Sequence, residues 1–318
     1  MMSRRRFGAL ALALVPLVAA CGSSSKSATD SKLVAPVRTT TTSSTVPLPL
    51  GRPERIVSLS ATATETLFAI GAGDQVVAVD SFSNYPPEAP VTDLSAYEPN
   101  IEAIAKYQPD LVMTDGTNPD LDAQLNKLGI AVFAAKAPKN LDQVYQQIEQ
   151  IGAATGNIAT AGAVSLKLQD EINALLKTYT RPTEGKLVYY YELDNTFFSA
   201  SSKTFIGAVF NELGLLNIAD EVDTKQTAGY PQLTPEFILE KNPDVIFLAD
   251  TKCCQQTAET VKDRPGWESI RAVKEGRIVE LDDDIANRWG PRVVEILRAV
   301  ITGITGLTPD PDKVFEQQ

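Results

Sequence analysis

The sequence contains no histidine among its 318 residues. Without imidazole, a Ser-His-Asp triad and a Cys-His pair are both excluded. A phosphate-binding GxxxxGK motif is also absent, and Gly71 and Gly73 follow a predicted helix, whereas a dinucleotide fingerprint places its glycines after a strand. Carboxylates are plentiful, but their spacing assigns no catalytic pair. These absences argue against an enzyme.

Cysteine is nearly as scarce, with three in the chain. Cys253 and Cys254 are adjacent, and with no histidine and no further free cysteine they cannot complete a four-ligand zinc site. In an oxidising compartment they either close a vicinal disulfide or remain two reduced, partly buried thiols. The sequence leaves both alternatives open, and it predicts no metal site and no cofactor.

A hydrophobic run long enough to span a membrane is missing as well. Residues 7–18 are apolar, but a run of about a dozen residues is too short to cross a ~30 Å hydrocarbon core. A basic start precedes this run and small residues end it at Cys21, so residues 1–20 are predicted to be a secretory signal. The Leu-x-x-Ala-Cys ending resembles a bacterial lipobox, which implies a lipid on Cys21. Residues 3–7 also fit a twin-arginine motif, so the export route stays open.

Residues 21–51 are predicted to be a tether, because Ser and Thr dominate them and no apolar periodicity occurs. Loss of residues 1–20 removes three arginines and lowers the net charge from −11 to −14. This acidity argues against nucleic acid and anionic lipid as partners. We expect an extracytoplasmic domain that is anchored to the cell membrane through lipidated Cys21.

One pattern occurs twice in the chain. Residues 97–112 and 230–246 each contain an aromatic residue, then a glutamate that opens an amphipathic run, then Pro-Asp and an apolar strand. The two glutamates are Glu102 and Glu236. Two such copies predict two similarly built lobes, and the space between two matched lobes is usually a binding cleft.

Strands alternate with helices throughout, which predicts an α/β fold with parallel sheets. The N-terminal lobe is predicted at 52–156, the C-terminal lobe at 182–307 and a loose tail at 308–318. An apolar stripe at three- and four-residue spacing predicts one helix of about six turns at 157–181. Strands are predicted at 56–59, 75–79, 112–114, 131–134, 186–191, 245–249 and 277–281. Helices are predicted at 60–70, 121–128, 141–151, 205–213, 257–261 and 293–304.

The segments IVSLSATATETLFAIG, DSFSNYPPEA and NIEAIAKYQPDLV resemble the periplasmic cobalamin- and ferric-siderophore-binding proteins. These are substrate-binding components of ABC importers, in which one rigid helix joins two Rossmann-like lobes. The resemblance covers residues 52–305, and the tyrosine-diproline segment at 85–87 favours the cobalamin branch. It implies a monomer that captures a corrinoid between the lobes and delivers it to a permease and ATPase complex. A ferric siderophore or haem remains an alternative ligand, and a secreted enzyme or a sensory surface lipoprotein remains an alternative class.

The resemblance also implies ligand-binding residues. Tyr85 occupies the tyrosine-diproline position, and Tyr97 and Tyr230 replace tryptophans that would face the ligand. Aromatic faces suit a large flat macrocycle. Asp284 and Arg288 match an aspartate and an arginine of the family's ligand loop. Trp289 is predicted to lie at the wall of the cleft. The predicted ligand site therefore consists of the three tyrosines, Asp284, Arg288 and Trp289. For each tyrosine the alternative is an ordinary semi-buried residue.

Glu102 and Glu236 are assigned a different role. In the resembling family, a glutamate at the matching position of each lobe lies on the outer surface and pairs with arginines of the permease. The alternative is a carboxylate that stabilises a helix N-terminus, worth about 0.3–1 kcal/mol. Repetition in both lobes favours docking.

Overall fold

The computed structural model describes residues 51–182 and 185–307. The predictions for the signal, for Cys21, for nearly all of the tether and for the tail lie outside these residues. The described chain forms two four-stranded sheets. The first contains β1 (Ile56–Ser58), β2 (Val76–Val79), β3 (Leu111–Thr114) and β4 (Ala131–Ala134). The second contains β5 (Val188–Glu192), β6 (Leu216–Asn217), β7 (Val245–Leu248) and β8 (Ile278–Glu280).

Both sheets have the same topology. The strand orders are β2-β1-β3-β4 and β6-β5-β7-β8, and every pairing is parallel. Because parallel neighbours need crossover connections, helices cover the sheet faces. The predicted α/β class with two parallel sheets is therefore confirmed.

In the described part of the chain four helices accompany the first sheet, and each begins at a polar cap. Side-chain oxygens of Ser60, Asn100, Asn118 and Asn140 accept a hydrogen bond from the backbone N–H three residues further on, which satisfies one of the unpaired donors of a helix start. The helices are α1 (Ala61–Ala69), α2 (Ile101–Ala105), α3 (Pro119–Lys127) and α4 (Leu141–Thr155).

One long helix, α5 (Ile158–Thr178), leads from the first sheet to the second. It begins after Gly156, whose φ of 74° ends α4 in the left-handed conformation. Helix α5 packs on α4. At Gly152 the two backbones come so close that an added Cβ would lie 2.2 Å from the Cβ of Ala161. The predicted stiff helix is present, a few residues shorter than 157–181.

Among the residues that the structure describes, six helices accompany the second sheet, and three of them are a single turn or little more. They are α6 (Phe205–Glu212), α7 (Pro235–Lys241), α8 (Ala258–Lys262), α9 (Arg271–Lys274), α10 (Asp283–Ala286) and α11 (Val293–Ile304). The sequence predicted α11 and β4 at their observed bounds but missed β6, α9 and α10. Elements of two to four residues contain only about one helical or strand repeat, so no periodicity reveals them.

The aspartate of the repeated Pro-Asp pair makes an equivalent hydrogen bond in both lobes. Asp110 accepts a hydrogen bond of 3.0 Å from the backbone N–H of Arg55, just before β1. Asp244 accepts one of 2.9 Å from the backbone N–H of Val188, at the start of β5. In each lobe the aspartate before the third strand therefore fixes the entrance of the first strand.

Strand residues alternate between two apolar layers, as a parallel sheet covered on both faces requires. One continuous cluster joins the inner faces of both sheets to α1, α4, α5 and α11; among its members are Ile56, Met113, Leu168, Ile172, Tyr189, Phe247 and Leu297. The outer faces bury separate clusters; among these members are Val57, Val112, Val132, Val188, Ile246 and Trp267. The shared inner core holds the two sheets as one packed body.

Candidate functional site

The predicted tyrosines lie on loops that follow strands. Tyr85 and Tyr97 come between β2 and α2, and Tyr230 comes between β6 and α7. Open α/β sheets bind ligands at the carboxyl ends of their strands. The exposed fractions are 41% for Tyr85, 80% for Tyr97 and 49% for Tyr230, so all three rings are accessible to a ligand.

Two phenylalanines extend this aromatic surface, and Phe82 was missed by sequence reasoning. Phe82 is 54% exposed, and its ring meets that of Tyr97 edge-on with centroids 5.2 Å apart. Phe198 is also exposed and pairs through its backbone with Gln232, close to Tyr230. Phe82 belongs to the same loop as Tyr85, so Phe82 could have been found by considering every aromatic residue of that loop.

Tyr85 is held in position by an arginine. The guanidinium of Arg292, just before α11, lies 3.9 Å from the ring centroid of Tyr85, within the range of a cation–π contact. The Tyr85–Pro86 peptide is cis. The loop that carries Tyr85 is thus attached to residues that follow the second sheet.

The guanidinium of Arg288 forms hydrogen bonds with other groups of the protein. It donates to Glu65 Oε1 (2.8 Å), to the carbonyl of Phe82 (3.0 Å), to Asn84 Oδ1 (2.9 Å) and to Asp284 Oδ1 (2.8 Å). Its side chain is 9% exposed. The structure brings the predicted pair Arg288 and Asp284 together. The contact of Arg288 with a ligand stays a prediction, and its present bonds hold the loop of Tyr85.

Glu65 is the residue at the centre of this network, and sequence reasoning missed it. It lies on α1, is almost fully buried, and accepts hydrogen bonds from both Arg288 and Arg292. A buried carboxylate needs such partners because an isolated charge is costly to desolvate. One acidic residue within a helix of otherwise uncharged buried residues is the signal that identifies it.

Asp284 joins Arg288 to Lys252. The Nζ atom of Lys252 donates to Asp284 Oδ2 and to Asp282 Oδ1, each at 2.8 Å. Burial alone would raise the pKa of Asp284, but the bond from Lys252 and the charge of Arg288 outweigh it and lower that pKa. Asp282 also caps α10, so some acids of this cluster begin a helix.

Trp289 lies against the first half of the chain. Its ring is half-buried on the inner core, and its Nε1 donates to Gln147 Oε1 on α4 at 3.2 Å. The residue therefore forms part of the contact between the segment before α11 and α4. Its position at a ligand wall stays a prediction.

Glu102 and Glu236 occupy matching positions on the surface. Each is exposed and lies in the first turn of its helix, α2 or α7, where Asn100 or Thr234 is the cap. Neither forms an ion pair with a cation of the described residues. Both carboxylates are therefore available to a partner, and both also complement their helix dipoles.

Cys253 and Cys254 are free thiols whose Sγ atoms lie 2.6 Å apart. Over residues 51–182 and 185–307, no group of three or more Cys, Asp and Glu side chains has the arrangement of a metal site. No helix in these ranges is long and apolar enough to cross a membrane.

A family model for periplasmic binding proteins matches residues 56–285. The chain belongs to this family. It is 32% identical over 250 residues to a cobalamin-binding protein of Halobacterium salinarum, a match that covers 76% of this chain and 67% of the relative. It is 31% identical to an uncharacterized ABC transporter substrate-binding lipoprotein of Bacillus subtilis, over 76% of this chain and 77% of that protein.

Solved structures agree with the fold. The periplasmic vitamin B12-binding protein of Vibrio cholerae is 26% identical, with a TM-score of 0.65 over 79% of this chain and 96% of that one. A periplasmic haem-binding protein of Roseiflexus is 27% identical, with a TM-score of 0.66 over 80% of this chain and 98% of that one. This periplasmic binding protein is a substrate-binding protein of the ABC importer class, and the prediction that it is not an enzyme is confirmed.

Proposed function

We propose that this periplasmic binding protein captures a corrinoid between its two lobes and delivers it to a membrane permease. The observation that carries the proposal is the set of exposed aromatic side chains on loops of both lobes at the carboxyl ends of strands. These side chains are Phe82, Tyr85, Tyr97, Phe198 and Tyr230. Two relatives named for cobalamin or vitamin B12 support it.

Aromatic rings fit a corrinoid because a large, nearly flat macrocycle offers extensive apolar area. Tyrosine adds contact area at low conformational cost, and its hydroxyl can bond to amide groups at the rim. The edge-on pair of Phe82 and Tyr97 gives one lobe a broad apolar surface, and Tyr230 supplies a ring on the other.

The alternative ligands have less support from the charges at the site. An anionic ferric siderophore needs unpaired cations, yet Arg288 and Arg292 are both bonded to Glu65. Ferric haem, in a chain without histidine, needs a tyrosinate ligand. Burial raises the pKa of Tyr230, which disfavours the anionic form of that side chain.

Calorimetric titration of the purified chain with cyanocobalamin, haemin and a ferric hydroxamate tests the proposal. We expect micromolar or tighter binding of cyanocobalamin. The changes Tyr97→Ala and Tyr230→Ala each weaken it about tenfold, equivalent to about 1.4 kcal/mol. Leu128→Ala is the matched control, because Leu128 is exposed but precedes β4 at the opposite edge of the sheet. Binding of haemin or the hydroxamate without the corrinoid would overturn the proposal.

The proposal includes a lipid anchor on Cys21 and docking through Glu102 and Glu236. We expect the mature chain to be labelled when cells are fed lipid precursors. We expect the Cys21→Ser chain to be released into the medium. Release of both forms would contradict the anchor.

A further inference from the structure

Cys253 and Cys254 occupy the turn after β7, at the sheet edge that also carries the ligand loops. Their Sγ atoms are 2.6 Å apart, against ~2.05 Å in a disulfide bond. Cys253 is exposed and Cys254 is half-buried. The two sulfurs are therefore adjacent before any bond joins them, and a small oxidant can reach them.

The backbone of this turn is fixed by groups other than sulfur. Asp283 Oδ2 accepts hydrogen bonds from the backbone N–H of Cys253 (2.9 Å) and of Lys252 (3.0 Å). The carbonyl of Asp250 accepts one from the N–H of Cys254 (3.2 Å). These bonds keep both thiols on one side of the turn in the reduced state, so closure requires little displacement of the backbone.

We propose that Cys253 and Cys254 are a vicinal dithiol–disulfide couple, a redox modification site at the edge of the cleft. Closure proceeds by thiol–disulfide exchange with a low-molecular-weight disulfide. One cysteine thiolate attacks a sulfur of the oxidant, and the first leaving thiolate takes up the released proton. The second cysteine then displaces the remaining oxidant thiol. The two cysteines lose two hydrogens together, and the oxidant is reduced to two thiols.

The bond between neighbours in sequence is reversible. Consecutive Cα atoms are ~3.8 Å apart across a trans peptide, below the ~4.4–6.8 Å span of ordinary disulfides. The resulting small ring is strained, and strained exposed disulfides are the labile, regulatory kind. Structural disulfides of secreted proteins resist reduction by comparison.

Attack by Cys253 is expected to be slow at neutral pH and faster in base. Desolvation, the neighbouring Cys254 thiol and the Asp283 carboxylate together raise the pKa of Cys253 to about 12. The attacking species is the thiolate, so Cys253 remains a thiol at neutral pH and the rate rises with pH.

A chain of ion pairs links this turn to the interlobe contacts. Lys252, which precedes the dithiol, bonds to Asp284, and Asp284 bonds to Arg288 and to Asn84 in the loop of Tyr85. Ring closure constrains the backbone next to Lys252. We therefore expect the oxidised and reduced forms to differ in affinity for the ligand, an effect that rests on the proposed function.

Peptide mapping of the full chain tests the couple without any ligand. Cleavage after lysine releases residues 253–262, which contain both thiols and exclude Cys21. After treatment with oxidised glutathione at pH 8.5, we expect this peptide to lose two hydrogens, resist alkylation and regain both thiols with dithiothreitol. Two persistent glutathione adducts, or two unchanged alkylatable thiols, would overturn the proposal.

The single changes Cys253→Ser and Cys254→Ser are matched controls, because each leaves one thiol that holds glutathione as a stable mixed disulfide. For the link to the cleft, cyanocobalamin is titrated into the oxidised and reduced chains. We expect the affinity to differ in the wild type and to be unaffected by glutathione disulfide in the Cys253→Ser, Cys254→Ser double variant. Equal affinities of the two wild-type forms would refute the link, whereas no binding by either form would refute the corrinoid proposal and leave the peptide result standing.

Discussion

Asp250 is fully buried, and neither of its carboxylate oxygens has a hydrogen-bond partner. Burial and the adjacent charge of Glu192 raise its pKa from 3.8 to about 8, against the opposing charge of Arg264; Asp283 adds to the rise. Glu192, itself buried, is bonded by both terminal nitrogens of Arg264. A proton on Asp250, donated toward Glu192, gives one of the two unpaired oxygens a partner and leaves Asp250, Glu192 and Arg264 with no net charge as a group.

This protonation predicts how stability changes with pH. Between about pH 4 and pH 8 the native Asp250 holds a proton that the unfolded chain has lost, so stability falls as pH rises, by at most about 1.4 kcal/mol per pH unit. Asp250→Asn removes the titration. Denaturant unfolding at pH 5 and pH 8 should show a smaller decrease in the variant than in the wild type.

The control for Asp250 is Asp263→Asn, since Asp263 is exposed on the same lobe. This change should leave the pH dependence as it is in the wild type. An Asp250→Asn variant with the full wild-type decrease between pH 5 and pH 8 would show that Asp250 is ionised in the native state.

At the scale of the element, the repeated pattern is a structural unit as well as a sequence signal. Gln108 and Asn242, which precede the proline in the two copies, have φ of 49° and 45°. At Asn242 this left-handed conformation caps the end of α7, and at Gln108 it follows the turn after α2; in both copies it leads the chain into the next strand, β7 or β3. Proline cannot continue a helix, so the pattern itself predicts where each helix ends.

Two helical glycines should respond to alanine in opposite directions. At Gly162 on α5 an added Cβ meets nothing within 4 Å, whereas at Gly207 on α6 it would lie 2.1 Å from the carbonyl oxygen of Ser201. Gly162→Ala should raise the free energy of unfolding by about 0.5–1 kcal/mol. Gly207→Ala should lower it by about 1–3 kcal/mol through overpacking.

Urea unfolding of both glycine variants at one pH measures the difference, and each serves as the control for the other because both replace a helical glycine by alanine. A loss of stability in both variants would contradict the open surroundings of Gly162. A gain in both would contradict the close backbone contact at Gly207.

For the whole molecule, the Glu65 network decides how the segment before α11 is held against α1. Removing the charge with Glu65→Gln leaves Arg288 and Arg292 without their shared carboxylate, and breaking a buried pair typically costs about 3–5 kcal/mol. We expect a loss of this size in urea unfolding, with faster hydrogen exchange in the loop at 81–87 that Arg288 holds.

The exposed pair of Lys167 and Glu171 on α5 provides the control, with an Nζ–Oε1 distance of 3.7 Å. Glu171→Gln should cost less than about 1 kcal/mol because surface ion pairs contribute little. Equal losses in Glu65→Gln and Glu171→Gln would contradict the role of Glu65 as a buried anchor.

Docking on the permease is also a property of the whole molecule. The double change Glu102→Ala, Glu236→Ala should leave cyanocobalamin affinity unchanged and abolish uptake in cells, since two separated charges orient the cleft over the channel. Glu240→Ala is the control, because Glu240 is exposed on α7 with Glu236. Uptake at the wild-type level in the double variant would refute the docking role.

Apolar periodicity, helix caps and Pro-Asp stops are local signals, so the fold class, most elements and the family could be predicted from the sequence. It also placed Tyr85, Tyr97 and Tyr230 on loops. The partners of the buried charges became visible only in the folded chain: Glu65 bonds to Arg288 and Arg292 across more than 220 positions of sequence, and Asp250 lies beside Glu192. Such pairings depend on how the two sheets pack. Residues that are so far apart in sequence produce no periodic pattern from which their contact could be predicted.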